Sequence, residues 1–294
     1  MKLLLEACAN PNARDCYGRA ALHGPAQTED VSVQSMLLGT GAEVNAVGED
    51  KKTALHEACN MGRINNVKLL LSQPKVELNL VDNDNCTALY RALRSTDGHY
   101  KDQCVDPEIV ALLLEREDID VNAADAIAFQ EAARKGMVET VKTMLSKHGA
   151  DIHIQGGEDG GVMQAAVVGG DVETLELLLS PEWRGNVNAV GGEFGTPLAA
   201  AVAFGNFEAA RVLLEAGATV DVKGVGRYGS AFHSVGKRMD CDDPLESQHR
   251  HKELIKLLER YAGKSLDEDV DMPHLEDRWL QLPNGWKFFP KGEL

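Results

Sequence analysis

This sequence predicts an all-α solenoid of stacked helix-turn-helix units joined by β-hairpin-like loops. Three observations carry the prediction. A short motif, fullest as Thr53-Ala54-Leu55-His56-Glu57-Ala58, recurs with anchors at 20, 53, 87, 127, 161, 196 and 230, at spacings of 33, 34, 40, 34, 35 and 34. A leucine-rich run ends 18 residues after its anchor at Leu38, Leu71, Leu145, Leu179 and Leu214. Between each run and the next anchor lies a polar stretch with a β-like triplet, such as Val44-Asn45-Ala46, Leu78-Asn79-Leu80, Val121-Asn122-Ala123, Ile152-His153-Ile154, Val187-Asn188-Ala189 and Val220-Asp221-Val222. A helix pair cannot bury its apolar stripe alone, whereas stacked neighbours share one continuous core.

The units follow in order. Residues 1–7 read as the second helix of a half repeat, because Leu5 precedes the first anchor by 15 residues, as Leu38 precedes the next. The chain is therefore expected to be a piece of a longer one. Ala20-Ala21-Leu22-His23 opens the first full unit, Thr53 the second and Thr87-Ala88-Leu89-Tyr90 the third. Ile127-Ala128-Phe129-Gln130 departs most from the pattern, lacking a turn glycine. Gly161-Val162-Met163-Gln164, Thr196-Pro197-Leu198-Ala199 and Ser230-Ala231-Phe232-His233 complete the array, each with a glycine directly before the anchor. Gly41, Gly149 and Gly217 precede three of the triplets, where a helix end favours a left-handed residue.

Thr53 and Thr196 should cap the first helix of their units. Leu55, Leu89 and Leu198 should point into the interface with the preceding unit. Insertions of nine and ten residues, around 97–107 and 237–251, read as surface loops between helices. The array spans 1–262, and 263–294 forms an acidic linker followed by an aromatic tail holding Trp279, Trp286, Phe288 and Phe289.

Composition narrows the function. The 294 residues carry 46 Asp+Glu against 30 Lys+Arg, a net charge of −16, which disfavours nucleic acid because phosphate binding needs a basic face. No apolar run reaches the length of a membrane span, and the start is broken by Glu6 before any secretory core forms. The six cysteines show no CxxC spacing, so reduced thiols in an intracellular protein are expected, cytoplasmic with a nuclear location also open.

Motifs that suggest chemistry fall inside the repeat phase. Gly224-Val225-Gly226-Arg227-Tyr228-Gly229 matches a dinucleotide fingerprint but occupies an inter-repeat turn without the βαβ unit it requires. Asp82-Asn83-Asp84-Asn85 begins like a calcium loop, yet Thr87 and Leu93 stand where Gly and Glu are needed. Cys241, His249 and His251 have irregular spacing for a metal site. Nothing nominates a nucleophile or an acid–base pair, so no enzyme activity, cofactor or metal is expected.

Thr53–Leu71, with the joint from Gly41 to Ala58, resembles the ankyrin repeat, whose signature includes T-P-L-H-x-A at a 33-residue period. The segments containing Gly156-Gly157 and Gly191-Gly192 resemble its Gly-rich subtype common in fungal multidomain proteins. The resemblance implies that His23, His56 and His233 hydrogen-bond neighbouring turns. It also implies a scaffold that binds another protein through finger tips and a concave helical wall. The tips are Glu49, Asp50, Asp82, Asp84, Asp125, Glu158, Asp159, Glu193, Phe194, Arg227 and Tyr228. Acidic middle tips suit a monomer binding a partner with a basic patch, and Phe194 and Tyr228 would be exposed anchors. The alternative is a ligand-sensing or regulatory array of a larger NTPase or kinase-type protein. Leu282-Pro283-Asn284-Gly285-Trp286 resembles the opening of a WW domain, or the tail folds over the last repeat.

Overall fold

A computed structural model describes residues 7–28, 30–94, 107–157, 159–220, 226, 231–234, 244–262, 279–282 and 285–288. Helices dominate. Each unit contributes a first and a second helix: α1 (His23–Ala26) and α2 (Val31–Gly39), α3 (Ala54–Asn60) and α4 (Ile64–Leu71), α5 (Ala88–Leu93) and α6 (Pro107–Leu114). The series continues with α7 (Ala123–Arg134) and α8 (Val138–His148), α9 (Val162–Gly169) and α10 (Val172–Leu179), α11 (Pro197–Ala203) and α12 (Phe207–Glu215), α13 (Ala231–Ser234) and α14 (Pro244–Ala262). First helices contact first helices of neighbouring units and second helices contact second helices, so two rows run side by side.

The side chains explain the two rows. First helices are short and rich in Ala, so they pack closely; all seven residues of α11 are buried. Leu22, Leu55, Leu89, Phe129, Met163 and Leu198 occupy one position in successive units, each at most 2% exposed. Second helices are amphipathic, α12 burying Ala209, Ala210, Leu213 and Leu214 while Arg211 faces outward to Glu208 and Glu215. Thr53, Thr87 and Thr196 begin α3, α5 and α11 as N-caps, their hydroxyls accepting from the amides of His56, Tyr90 and Ala199.

Among the described residues the triplets are turns rather than strands. Their asparagines carry the next link of the stack. Asn45 donates from Nδ2 to the Lys75 carbonyl at 2.7 Å and accepts the Glu77 amide at 2.9 Å. Asn12, Asn79 and Asn122 make the same two bonds to Gly41 and Glu43, Asp118 and Asp120, and Gly149 and Asp151. A side chain that mimics a backbone pair satisfies loop groups that would otherwise be stranded between units. The fingers themselves are hairpin-like, three of them closed by an antiparallel bridge: Arg14 to Ala20, Val81 to Thr87, Gly191 to Gly195.

One loop expectation changes. The second insertion is partly helical, since α14 begins at Pro244 and runs 19 residues. The first insertion, the half repeat at 1–6, His233 with the rest of the last finger, and the Cys241/His249/His251 group lie outside the described residues or side chains. In the tail, β1 (Trp279–Leu282) pairs antiparallel with β2 (Gly285–Phe288), Trp279 opposite Phe288 and Leu282 opposite Gly285.

Candidate functional site

The fingers form the candidate site, and their local chemistry decides which residues remain available. In the third finger Asp82 is buried, 4% exposed. Its Oδ1 accepts the amides of Asp84 and Cys86 at 2.9 and 3.0 Å, and its Oδ2 accepts Arg91 Nε at 2.9 Å. Asp15 does the same in the first finger for the amides of Tyr17 and Arg19, both at 2.9 Å. These aspartates fold the turn, in the way short acidic side chains satisfy backbone donors two residues on. Asp82 is therefore not a tip available to a partner, which corrects the sequence expectation.

Arg91 bridges from Asp82 to Asp84 Oδ2 at 2.7 Å, and that hydrogen bond holds the Asp84 carboxyl below its ordinary pKa. Asp84 still projects, its side chain 70% exposed.

Successive fingers are zipped together. The Glu49 amide donates to the Tyr17 carbonyl at 3.3 Å, and the Asn83 amide to the Asp50 carbonyl at 2.9 Å. Asn83 Nδ2 adds a bond to the Glu49 carbonyl, also 2.9 Å. Beneath this zip, His23 Nε2 lies 2.9 Å from the Lys52 carbonyl and His56 Nε2 3.1 Å from the Cys86 carbonyl. His56 Nδ1 accepts the Thr53 amide, so the proton sits on Nε2 and points at the next finger. Burial pushes the His56 pKa below the usual imidazole value. Gln164 takes over this role farther along, donating Nε2 to the carbonyls of Ala189 and Gly195, both at 3.0 Å. Burial likewise raises the thiol pKa of Cys59 and Cys86, neither of which is poised as a nucleophile.

The C-terminal fingers are built differently. The fifth and sixth meet backbone to backbone: a methyl on Gly160 would lie 1.9 Å from the Gly192 nitrogen, and one on Gly192 2.0 Å from the Asp159 carbonyl oxygen. Phe194 turns inward, 4% exposed, with its ring 5.2 Å from that of Phe204. The expected exposed anchor is a core residue, its ring packed against Phe204. Asp159 is also buried, its carboxylate 2.5 Å from Arg134. Glu193 is half-buried. Glu158, Arg227 and Tyr228 lie outside the described residues.

The fourth finger is missing. Eight residues separate Asn45 from Thr53 and Asn79 from Thr87, but five separate Asn122 from Ile127. In place of a hairpin, Ala124, Asp125 and Ala126 take left-handed backbone angles, φ 55°, 58° and 56°, leading into α7. Asp125 is exposed there. A cleft of about 510 Å³ opens beside it, bounded by Asp84 and Tyr90 on one side and Gly157 on the other.

The structure thus leaves Glu49 and Asp84 exposed on their fingers, Asp50 part-exposed beside Glu49, and Asp125 exposed where the fourth finger is missing. Sequence reasoning missed Tyr17, 62% exposed at the tip of the first finger with the Arg19 guanidinium 5.3 Å from its ring centre. Counting back from the anchors was the signal: Tyr17 stands three before Ala20, as Asp50 stands three before Thr53 and Asp84 three before Thr87.

Comparisons with known proteins follow the same register. A family model described as ankyrin repeats, in three copies, matches residues 26–125 and 129–224. An ankyrin repeat-containing protein of Schizosaccharomyces pombe is 28% identical over 107 residues, covering 35% of this chain and 43% of the relative. The ankyrin repeat protein nuc-2 of Neurospora crassa is 31% identical over 143 residues, 48% of this chain and 12% of the relative. The chain spans less than half the length of each. Among solved structures, the human ASB11 ankyrin repeat domain aligns with a TM-score of 0.59 and 24% identity, over 81% of this chain and 97% of that one. No described helix is long and apolar enough to cross a membrane.

Proposed function

The chain belongs to the ankyrin repeat family, and from that premise we propose that it is a scaffold binding another protein through Tyr17, Glu49, Asp50, Asp84 and Asp125. The observation that carries this reading is the zipped row of the first three fingers. One backbone bond joins each of these fingers to the next, so the backbone that presents their exposed side chains is already ordered. Four carboxylates and one tyrosine placed in this way suit a partner with a basic patch and an apolar spot. The long-range field of a chain with net charge −16 would speed its approach. Glu158, Arg227 and Tyr228 extend the proposed face on sequence grounds, as does assignment of the C-terminal units to the Gly-rich fungal subtype.

The test is affinity capture by the whole chain, with Tyr17→Ala and Glu49→Lys/Asp125→Lys as parallel baits. A protein held by the unaltered chain, released by moderate salt and lost from both variant baits, fits the proposal. Equal recovery on all three baits would remove it.

A further inference from the structure

The lost fourth finger ends the zip in mid-pattern. Tyr17 and Asp50 each give their carbonyl to an amide of the following finger. Asp84 occupies the same position, but its carbonyl takes the Cys86 thiol at 3.4 Å and, among the described residues, no amide from beyond. Where that amide would have come from, the chain passes directly into α7 and leaves the cleft of about 510 Å³. The gap is not closed from the far side either. Among the described residues the next finger reaches back to Asp125, Gln130 and Arg134, through Gly156, Gly157 and Asp159.

The walls carry a charge pattern. Asp84 and Asp125 project from opposite sides, both exposed. Glu131 lines the floor, with Arg134 and Lys135 each 3.7 Å from its carboxylate. Arg134 is already committed to Asp159, and Arg94 lies over the Tyr90 ring at 6.0 Å. The lining carboxylates outnumber the lining guanidinium groups by three, Asp84, Asp125 and Glu131, to two, Arg94 and Arg134. Asp84 is paired with Arg91, whereas Asp125 makes no ion pair among the described residues.

We infer that the cleft is a docking slot for an extended loop of the partner protein, which takes the place of the missing finger. One backbone amide of the loop bonds the Asp84 carbonyl, and a lysine or arginine sits between Asp84 and Asp125. This rests on the reading of the finger row as a protein-binding face and adds the point of entry and the chemistry of the entering residue. A backbone bond of this kind fixes register, as when a peptide adds to an unpaired strand edge, while the basic side chain supplies selectivity.

The test uses the whole chain to select from a phage-displayed library of random dodecapeptides, with the strongest selected peptide then labelled for fluorescence anisotropy. Three variants follow. Asp125→Lys reverses one wall, and its left-handed angle is one that Lys51 already adopts, with φ 58°. A refilled variant replaces residues 123–126 by the seven residues 80–86 of the third finger. Glu49→Lys alters the row away from the cleft. The expected result is enrichment of peptides bearing Lys or Arg. Their affinity should fall about tenfold or more in Asp125→Lys, as for loss of one close charge pair, and vanish in the refilled variant. Failure to select any peptide, or selected peptides without a basic residue, would overturn the inference. So would affinity unchanged in Asp125→Lys. Peptides weakened by Glu49→Lys but indifferent to the cleft changes would also overturn it, while leaving the wider binding role in place.

Discussion

His56 shows how much one side chain does in this molecule. It caps its own helix, receiving the Thr53 amide, and fastens the following finger through the Cys86 carbonyl. The first bond needs the neutral ring, because Nδ1 must accept; the second is donated by Nε2–H in either state. Because burial lowers its pKa from the ordinary 6.5, the unfolded chain binds a proton at this site more readily than the folded one. Stability from this group is therefore complete above pH 6.5 and is lost as the pH falls below that value. Glutamine at the equivalent position, Gln164, bridges to the next finger without titrating. His56→Gln should accordingly flatten the dependence of unfolding free energy on pH between about 7 and 5, measured by urea titration at each pH. An unchanged slope would show that the ring is not held neutral. Histidines in this motif were legible from the sequence as structural groups. The inward fate of Asp82 and Asp159 was not, because an aspartate in a turn reads the same whether it faces water or a neighbouring arginine.

At the level of the elements, the two kinds of finger obey different rules. The repeat phase, the helix pairs and the capping threonines followed from spacing and residue type alone. Finger length did not, since the anchors were compared with one another rather than with the preceding asparagine. That second distance, five residues at Asn122 against eight at Asn45 and Asn79, marks the missing hairpin. Its replacement holds three successive non-glycine residues in the left-handed region, each at a cost of about 1–2 kcal/mol. Ala124→Gly should relieve one of these and, after the added freedom of the unfolded chain, stabilise the protein by about 1 kcal/mol in chemical denaturation. The C-terminal fingers should react in the opposite sense. Gly160→Ala drives a methyl into the Gly192 backbone and should destabilise by about 3 kcal/mol or more. Gly41→Ala, at a comparable positive φ but with nothing within 4 Å, should cost only about 1 kcal/mol. Equal losses at the two sites, read from paired thermal melts, would mean that the close backbone contact contributes nothing.

For the whole molecule, charge and stacking act over different distances. The two helix rows continue through the described units, whereas the finger layer is interrupted at the fourth unit. The net charge of −16 acts on an approaching partner before any contact forms. Association of a basic peptide with the chain should slow as ionic strength rises while dissociation changes little, a split that stopped-flow mixing reads directly. The identity of that partner was never legible, because a solenoid writes its architecture into every repeat and its specificity into a few exposed positions. The glycine contacts between the fifth and sixth fingers carry a further lesson for engineering. A library diversified at positions 17, 49, 50 and 84 would yield folded members with new preferences, whereas one diversified at 160 and 192 would mostly yield chains unable to assemble. Adaptation of this array to new targets is thus constrained at the backbone contact between the fifth and sixth fingers, where Gly160 and Gly192 leave no room for a side chain.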